Sequence, residues 1–162
     1  MTGKTSSTYC FCVASLNAKF SHKFYDYSDL PEDTFGQRLK KLRLSIRLSQ
    51  FELANKVGIK HGMIGSYECD NFYPTLDSIN KLSKVLDIKF LCNEGYSKFL
   101  LQSSNFKDKL VHWRLENSLT KRDAAKFLGI SERGYGLWES GSIMSVTTYY
   151  KLENNLIRYN LL

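Results

Sequence analysis

The chain has 162 residues, 43% hydrophobic and 24% charged, which excludes a disordered polyelectrolyte and leaves room for one ordinary domain or two small ones. Twenty-three Lys/Arg against sixteen Asp/Glu give a formal charge of +7, so an anionic partner is expected, with nucleic acid first. No apolar run approaches the roughly 18 residues that a membrane-spanning helix needs.

Residues 1–33 read as an N-terminal extension. They open Ser/Thr-rich, turn aromatic at Phe20, Phe24, Tyr25 and Tyr27, and end acidic at Asp26, Asp29, Glu32 and Asp33. This is either a flexible arm or a segment that packs through its aromatics. The apolar stretch from Tyr9 to Ala14 is shorter than a secretory core, so a cytoplasmic protein is expected. Cys10, Cys12, Cys69 and Cys92 form no C-x-x-C pair and have no His set beside them, so reduced thiols and no zinc are expected.

From Phe35 onward the pattern is helical and only Pro74 interrupts it. Phe35, Leu39, Leu42 and Ile46 lie on one face of a first helix. Ser49 with Glu52 makes a capping box for a second, whose apolar residues Leu53, Ala54 and Val57 lead to Gly58 in a C-terminal turn position. A third helix is expected from about Lys60 to Cys69, burying Ile64 and Tyr67. Leu76, Ile79, Leu82 and Leu86 define a fourth. Phe90, Leu91, Tyr96, Phe99, Leu100 and Leu101 make 89–105 too apolar for a free tether, and a further helix is expected over 97–104.

The second half repeats the first without gaps when Phe106 is aligned with Phe35. Identical pairs include Leu39/Leu110, Arg43/Arg114, Leu48/Leu119, Ala54/Ala125, Gly58/Gly129, Ile59/Ile130, Gly65/Gly136 and Glu68/Glu139. Thr120 and Asp123 replace the Ser49–Glu52 box, and Ser131 caps a helix carrying Tyr135 and Trp138. A last helix holds Tyr149 or Tyr150, then Leu152, Leu156 and Ile157. Nine Lys/Arg oppose five Asp/Glu in 35–88, and nine oppose six in 106–158, so both copies are basic.

A capped helix, a small Ala, a turn Gly, an Ile that plugs the corner and a second helix is the layout of a helix-turn-helix. The small residue lets the helices cross closely, and the turn holds the second helix outward, where it can enter a major groove about 12 Å wide. On Arg43, Leu48-Ser49-Gln50, Leu53-Ala54, Val57-Gly58-Ile59, Ile64, Tyr67-Glu68 and Pro74-Thr75-Leu76, residues 35–88 resemble the Cro/lambda-repressor (XRE-type) helix-turn-helix family. Residues 106–157 resemble it more loosely.

The resemblance implies an all-α protein of two tandem four- to five-helix domains, 34–88 and 106–158, joined by a short, partly helical linker at 89–105. It also implies roles. Gln50 would bridge a phosphate and a base; Lys60, His61, Gly62, Met63 and Ser66 would face base edges; Asn71 would touch the backbone. In the second copy Lys121, Ser131, Glu132 and Arg133 are the corresponding surface. Arg43–Glu68 and Arg114–Glu139 would be structural salt bridges. Lys40, Lys41, Lys56 and Lys81 read as solvated faces, some of them near phosphates.

The function expected is a sequence-specific regulator of transcription, most simply a repressor, of prokaryotic or phage origin. Double-stranded DNA is the partner, with a homodimer and a protein bound through the second copy or the N-terminal arm as further candidates. The rival is a protein-interaction module, such as an antitoxin or an inhibitor of a host nuclease or polymerase. No P-loop, nucleophile–base constellation or metal cluster is visible, and His22 and His112 stand apart, so no enzyme, metal or cofactor is expected.

Overall fold

Small hydroxyl side chains set where the helices begin. The structure, a computed structural model, describes residues 27–162, and its regular elements are all helical. The helices are α1 (Phe35–Ser45), α2 (Gln50–Val57), α3 (Met63–Glu68), α4 (Leu76–Leu82), α5 (Ile88–Leu91), α6 (Gly95–Gln102), α7 (Phe106–Glu116), α8 (Lys121–Leu128), α9 (Glu132–Glu139) and α10 (Val146–Arg158), with a 3-10 turn at Ser103–Asn105 before α7. Thr34, Ser49, Thr75, Thr120, Ser131 and Ser145 each accept the backbone N–H three residues on. Such a cap is worth about 1 kcal/mol.

Three helix boundaries differ from the sequence reading. The third helix starts at Met63, not Lys60. Lys60 has no oxygen to cap a helix, and the chain instead passes Gly62 at φ 84° before the first turn closes. The fourth ends at Leu82, because Asp87 accepts the N–H groups of Lys89 and Phe90 and starts α5 afresh. Leu86 is still buried. The helix expected at 97–104 lies at 95–102. In the last helix Tyr149 is buried, while Tyr150 and Ile157 are exposed; the buried residue near the terminus is Leu161, beyond the helix. Tyr27 is within the described residues; the other aromatics of the arm and the Cys10–Cys12 pair lie outside them.

One core runs through both halves. Leu39, Leu53, Ile64, Ile79, Leu82 and Leu91 are fully buried on one side, and Leu110, Ala124, Leu128, Tyr135 and Leu156 on the other. Helix α6 joins them through rings: Tyr96 lies 5.2 Å from Tyr73 and 5.5 Å from Tyr149, and Phe99 lies 5.1 Å from Phe106. The Tyr96 hydroxyl donates to the Met144 carbonyl at 2.7 Å, which satisfies its one polar atom in the interior. Residues 89–105 are therefore structural packing, not a tether.

α1 crosses α3 at very close range. A Cβ on Gly36 would collide with the Tyr67 carbonyl, so this position must be glycine. Asp70 locks the same crossing by accepting from the Gly36 N–H at 2.9 Å and the Thr34 hydroxyl at 2.6 Å.

Candidate nucleic-acid interface

The α2–α3 and α8–α9 corners are built from the same parts. Gly58 and Gly129 take φ of 69° and 76°, the left-handed region where a side chain would be strained. Ile59 N–H then donates back to Ala54, and Ile130 N–H to Ala125, at 2.9 and 3.0 Å. Ala54 and Ala125 are buried at the helix crossing, where any larger side chain would force the helices apart.

A charge pair ties each corner to the helix behind it. Arg43 donates twice to Glu68, at 2.6 and 2.9 Å, and once to the Leu48 carbonyl at 2.7 Å. The Glu68 side chain is only 3% exposed, so this bidentate contact is what makes a buried carboxylate tolerable. Arg114 repeats the arrangement with Glu139 at 2.7 Å, and Lys121 adds a second cation at 2.9 Å. Burial alone would raise the Glu139 carboxyl, but hydrogen bonds from Arg114 and Lys121 outweigh it and hold the carboxyl below its ordinary value. The Arg114 guanidinium is raised by its hydrogen bond to Glu139.

The residues of the expected reading surface are not equally placed. The Gln50 amide donates to Glu68 at 2.7 Å and occupies the place that Lys121 takes in the second half. His61 is hydrogen-bonded to the Asn55 oxygen at 2.6 Å, and its ring lies 4.4 Å from Phe51. Both contacts pin the turn before α3, and with Lys60 and Gly62 His61 lies outside the helix proper. Met63 is half-buried against the core, and the Ser66 hydroxyl donates to the Gly62 carbonyl at 3.0 Å. Asn71 is exposed in the loop after α3, next to an exposed Phe72.

In the second half the helix begins at Glu132, directly behind its Ser131 cap, and Glu132 and Arg133 project as exposed side chains with no ion pair among the described residues. Lys41, read as a solvated face, instead binds Glu32 and the Ser28 carbonyl. Lys81 pairs with Asp77.

Sequence reasoning missed two residues, one behind this surface and one on it. Arg38 is 2% exposed and donates to the Leu91 and Glu32 carbonyls and to Glu94, anchoring α1 to the segment before α6. Leu137 is 49% exposed on α9, where the first half has Ser66.

Elsewhere, a cleft of about 530 Å³ between α1, α6 and α10 has four carboxylates in its lining, Asp33, Asp70, Glu94 and Glu153, against one cation, Arg38, which is itself paired with Glu94. Its carboxylates make that side unsuited to phosphate. Among the described residues no group of His, Cys, Asp or Glu is placed to hold a metal ion, and no helix is long and apolar enough to cross a membrane. Burial pushes the Cys92 thiol up to about 11, the opposite of what a nucleophile needs.

The chain is similar to named regulators. It is 37% identical over 67 residues to the SPbeta prophage-derived uncharacterized HTH-type transcriptional regulator YonR of Bacillus subtilis (strain 168), a stretch covering 40% of this chain and 62% of that protein. It is 36% identical over 54 residues to the uncharacterized HTH-type transcriptional regulator YobD of the same organism, covering 33% of this chain and 48% of that protein. The chain thus spans less than two-thirds of either relative. A longer but weaker match, 25% over 103 residues, is to the immunity repressor protein of Bacillus phage phi105, covering 59% of this chain and 72% of that protein. No family model and no solved structure matches the chain.

Proposed function

We propose that the protein is a sequence-specific DNA-binding regulator of transcription, acting as a repressor, from a prokaryotic or phage setting and working in the cytoplasm. It would use two tandem helix-turn-helix units, 34–88 and 106–158, each presenting its third helix to a major groove. The observation that carries this reading is the corner made twice: capped helix, buried alanine, left-handed glycine, then an outward helix tied back by an Arg–Glu pair. A named phage repressor and two named helix-turn-helix regulators among the similar proteins support it.

Phosphate neutralisation by Lys and Arg would supply much of the affinity, and base contacts the specificity. A mobility shift on DNA from upstream of the protein's own coding region, run at graded salt against random competitor, tests it. Specific binding that falls steeply with salt is expected. Equal affinity for random DNA would sink the reading.

One observation favours the alternative of a protein-interaction module. Leu115, Phe127 and Ile157 on α7, α8 and α10 are all more than half exposed. Under that reading a stoichiometric protein would co-purify from the native host and no DNA would be retained.

A further inference from the structure

The two corners are joined by an unbroken run of rings. Phe35 opens α1 next to Gly36, where α1 and α3 cross closely, and its ring lies 5.8 Å from Tyr73. Tyr73 lies 5.2 Å from Tyr96, Tyr96 5.9 Å from Phe99, and Phe99 5.1 Å from Phe106. Phe106 lies 6.1 Å from Trp138, which is on α9 itself. Tyr73 is half-buried and the other rings are buried. Close-packed plates of this kind transmit displacement instead of absorbing it.

The backbone between the halves offers no slack either. From Gly95 to Glu116 it stays helical, through α6, the 3-10 turn and α7. Between α5 and α6 it leaves the helical course only at 92–95, where Glu94 is extended and Gly95 takes φ 61°. That joint is clamped. From α1, the buried Arg38 reaches the Leu91 carbonyl at 3.2 Å and the Glu94 carboxylate at 2.8 Å. The fully buried Ser97 hydroxyl donates to the Glu94 carbonyl at 3.0 Å. Beyond the joint, the Tyr96 hydroxyl holds the Met144 carbonyl in the loop before α10, and the Tyr73 and Tyr150 hydroxyls meet at 3.4 Å.

Resting on the DNA-binding reading above, we infer that α6 is a ruler and that Tyr96 is the positioning residue that sets it. The two units meet DNA as one rigid body, so a single chain accepts one spacing between its half-sites and rejects the neighbouring ones. Each added base pair moves a half-site by about 3.4 Å and turns it by about 35° around the duplex. Seventeen residues of free tether, with a reach of up to about 56–61 Å, would follow that movement. The packed joint cannot follow it without parting Tyr96 from Tyr73 on one side or from Tyr149 and Met144 on the other.

The test uses the full chain and a bipartite site selected from random duplexes, remade with one base pair, two base pairs or a full turn inserted between the halves. A one-base-pair insertion should cost the wild type at least about a hundredfold in affinity, because joint engagement is lost. The full-turn insertion restores the face of the duplex but should not restore binding, as it would for a flexible tether. Tyr96→Ala should narrow the ratio of affinities between native and shifted spacings by at least about tenfold. A variant that is merely less stable lowers binding at every spacing alike and leaves that ratio unchanged. Tyr96→Phe keeps the ring and should keep most of the wild-type ratio. Circular dichroism checks that both variants fold, and the wild-type series decides the matter if Tyr96→Ala does not. If the wild type binds all spacings equally, or a folded Tyr96→Ala keeps the wild-type ratio, the inference is wrong while the proposed function stands. Selection of a single half-site also overturns it, since one unit then reads alone. If no DNA is selected, both readings fail together.

Discussion

α3 and α9 follow the same corner yet are different helices. Ser131 accepts the Gly134 N–H, so α9 begins at once and runs eight residues. Lys60 stands at the matching place, no side chain caps the helix, and α3 runs six residues from a left-handed Gly62. The supports behind them are the same: Arg43–Glu68 and Arg114–Glu139, each with the arginine also reaching a carbonyl of the α1–α2 or α7–α8 turn. The pair teaches that the scaffold of such a unit and the content of its exposed helix are separable. Burial and hydrogen bonding constrain the scaffold; the outer residues of the helix are free to differ.

The largest expected effect tests the shared scaffold. Arg43→Ala leaves a nearly fully buried Glu68 with only Gln50, and should cost about 3–5 kcal/mol in denaturant unfolding. Arg114→Ala should cost clearly less, because Lys121 still neutralises Glu139. Equal losses would erase that distinction between the halves.

Gly36→Ala comes next. It drives a methyl into the Tyr67 carbonyl and should destabilise by about 1–3 kcal/mol, whereas Lys107, the matching residue of α7, should accept alanine at little cost. Thermal melts of the two variants make the check.

Ser131→Ala removes the cap that distinguishes α9 and should cost about 1 kcal/mol, with hydrogen exchange rising in α9 before α3. Uniform protection loss would mean that the cap does not set the helix start.

The smallest effect is in pH. Glu139 has a carboxyl lowered below the ordinary 4.5 by Arg114 and Lys121, after the opposing cost of burial. A lowered folded-state value means stability that is present above about pH 4.5 and lost as pH falls through the lower value. Glu139→Gln should flatten this part of the acid unfolding profile, read by circular dichroism from pH 6 downward.

The helical class and the positions of the corners were legible because they rest on local rules: a hydroxyl before an apolar stripe, a glycine after it, an alanine at the crossing. The repeat made them legible twice. The start of α3 was not: the pattern places it near Lys60, which has no oxygen to cap a helix, and the chain passes a left-handed Gly62 before the first turn closes. The base-facing role of His61 comes from the family resemblance; its bond to Asn55 and its contact with Phe51 exist only once α2 and the turn are folded. Nothing local marks Arg38 as buried, because its partners, Leu91 and Glu94, are distant in sequence. Leu137 went unnoticed because hydrophobicity alone does not say which side of a helix faces outward. Tyr96 and Phe99 were seen as too apolar for a linker, but their stacking with Tyr149 needs both halves in place.

Selection of bound sites from random duplexes tests the central claim most directly. If both third helices meet DNA, the enriched sequence is bipartite, with two unlike half-sites separated by about one helical turn, roughly 34 Å, or a multiple of it. Arg133→Ala then blurs one half and leaves the other intact. A single half-site unaffected by Arg133→Ala, or no enrichment at all, would contradict it.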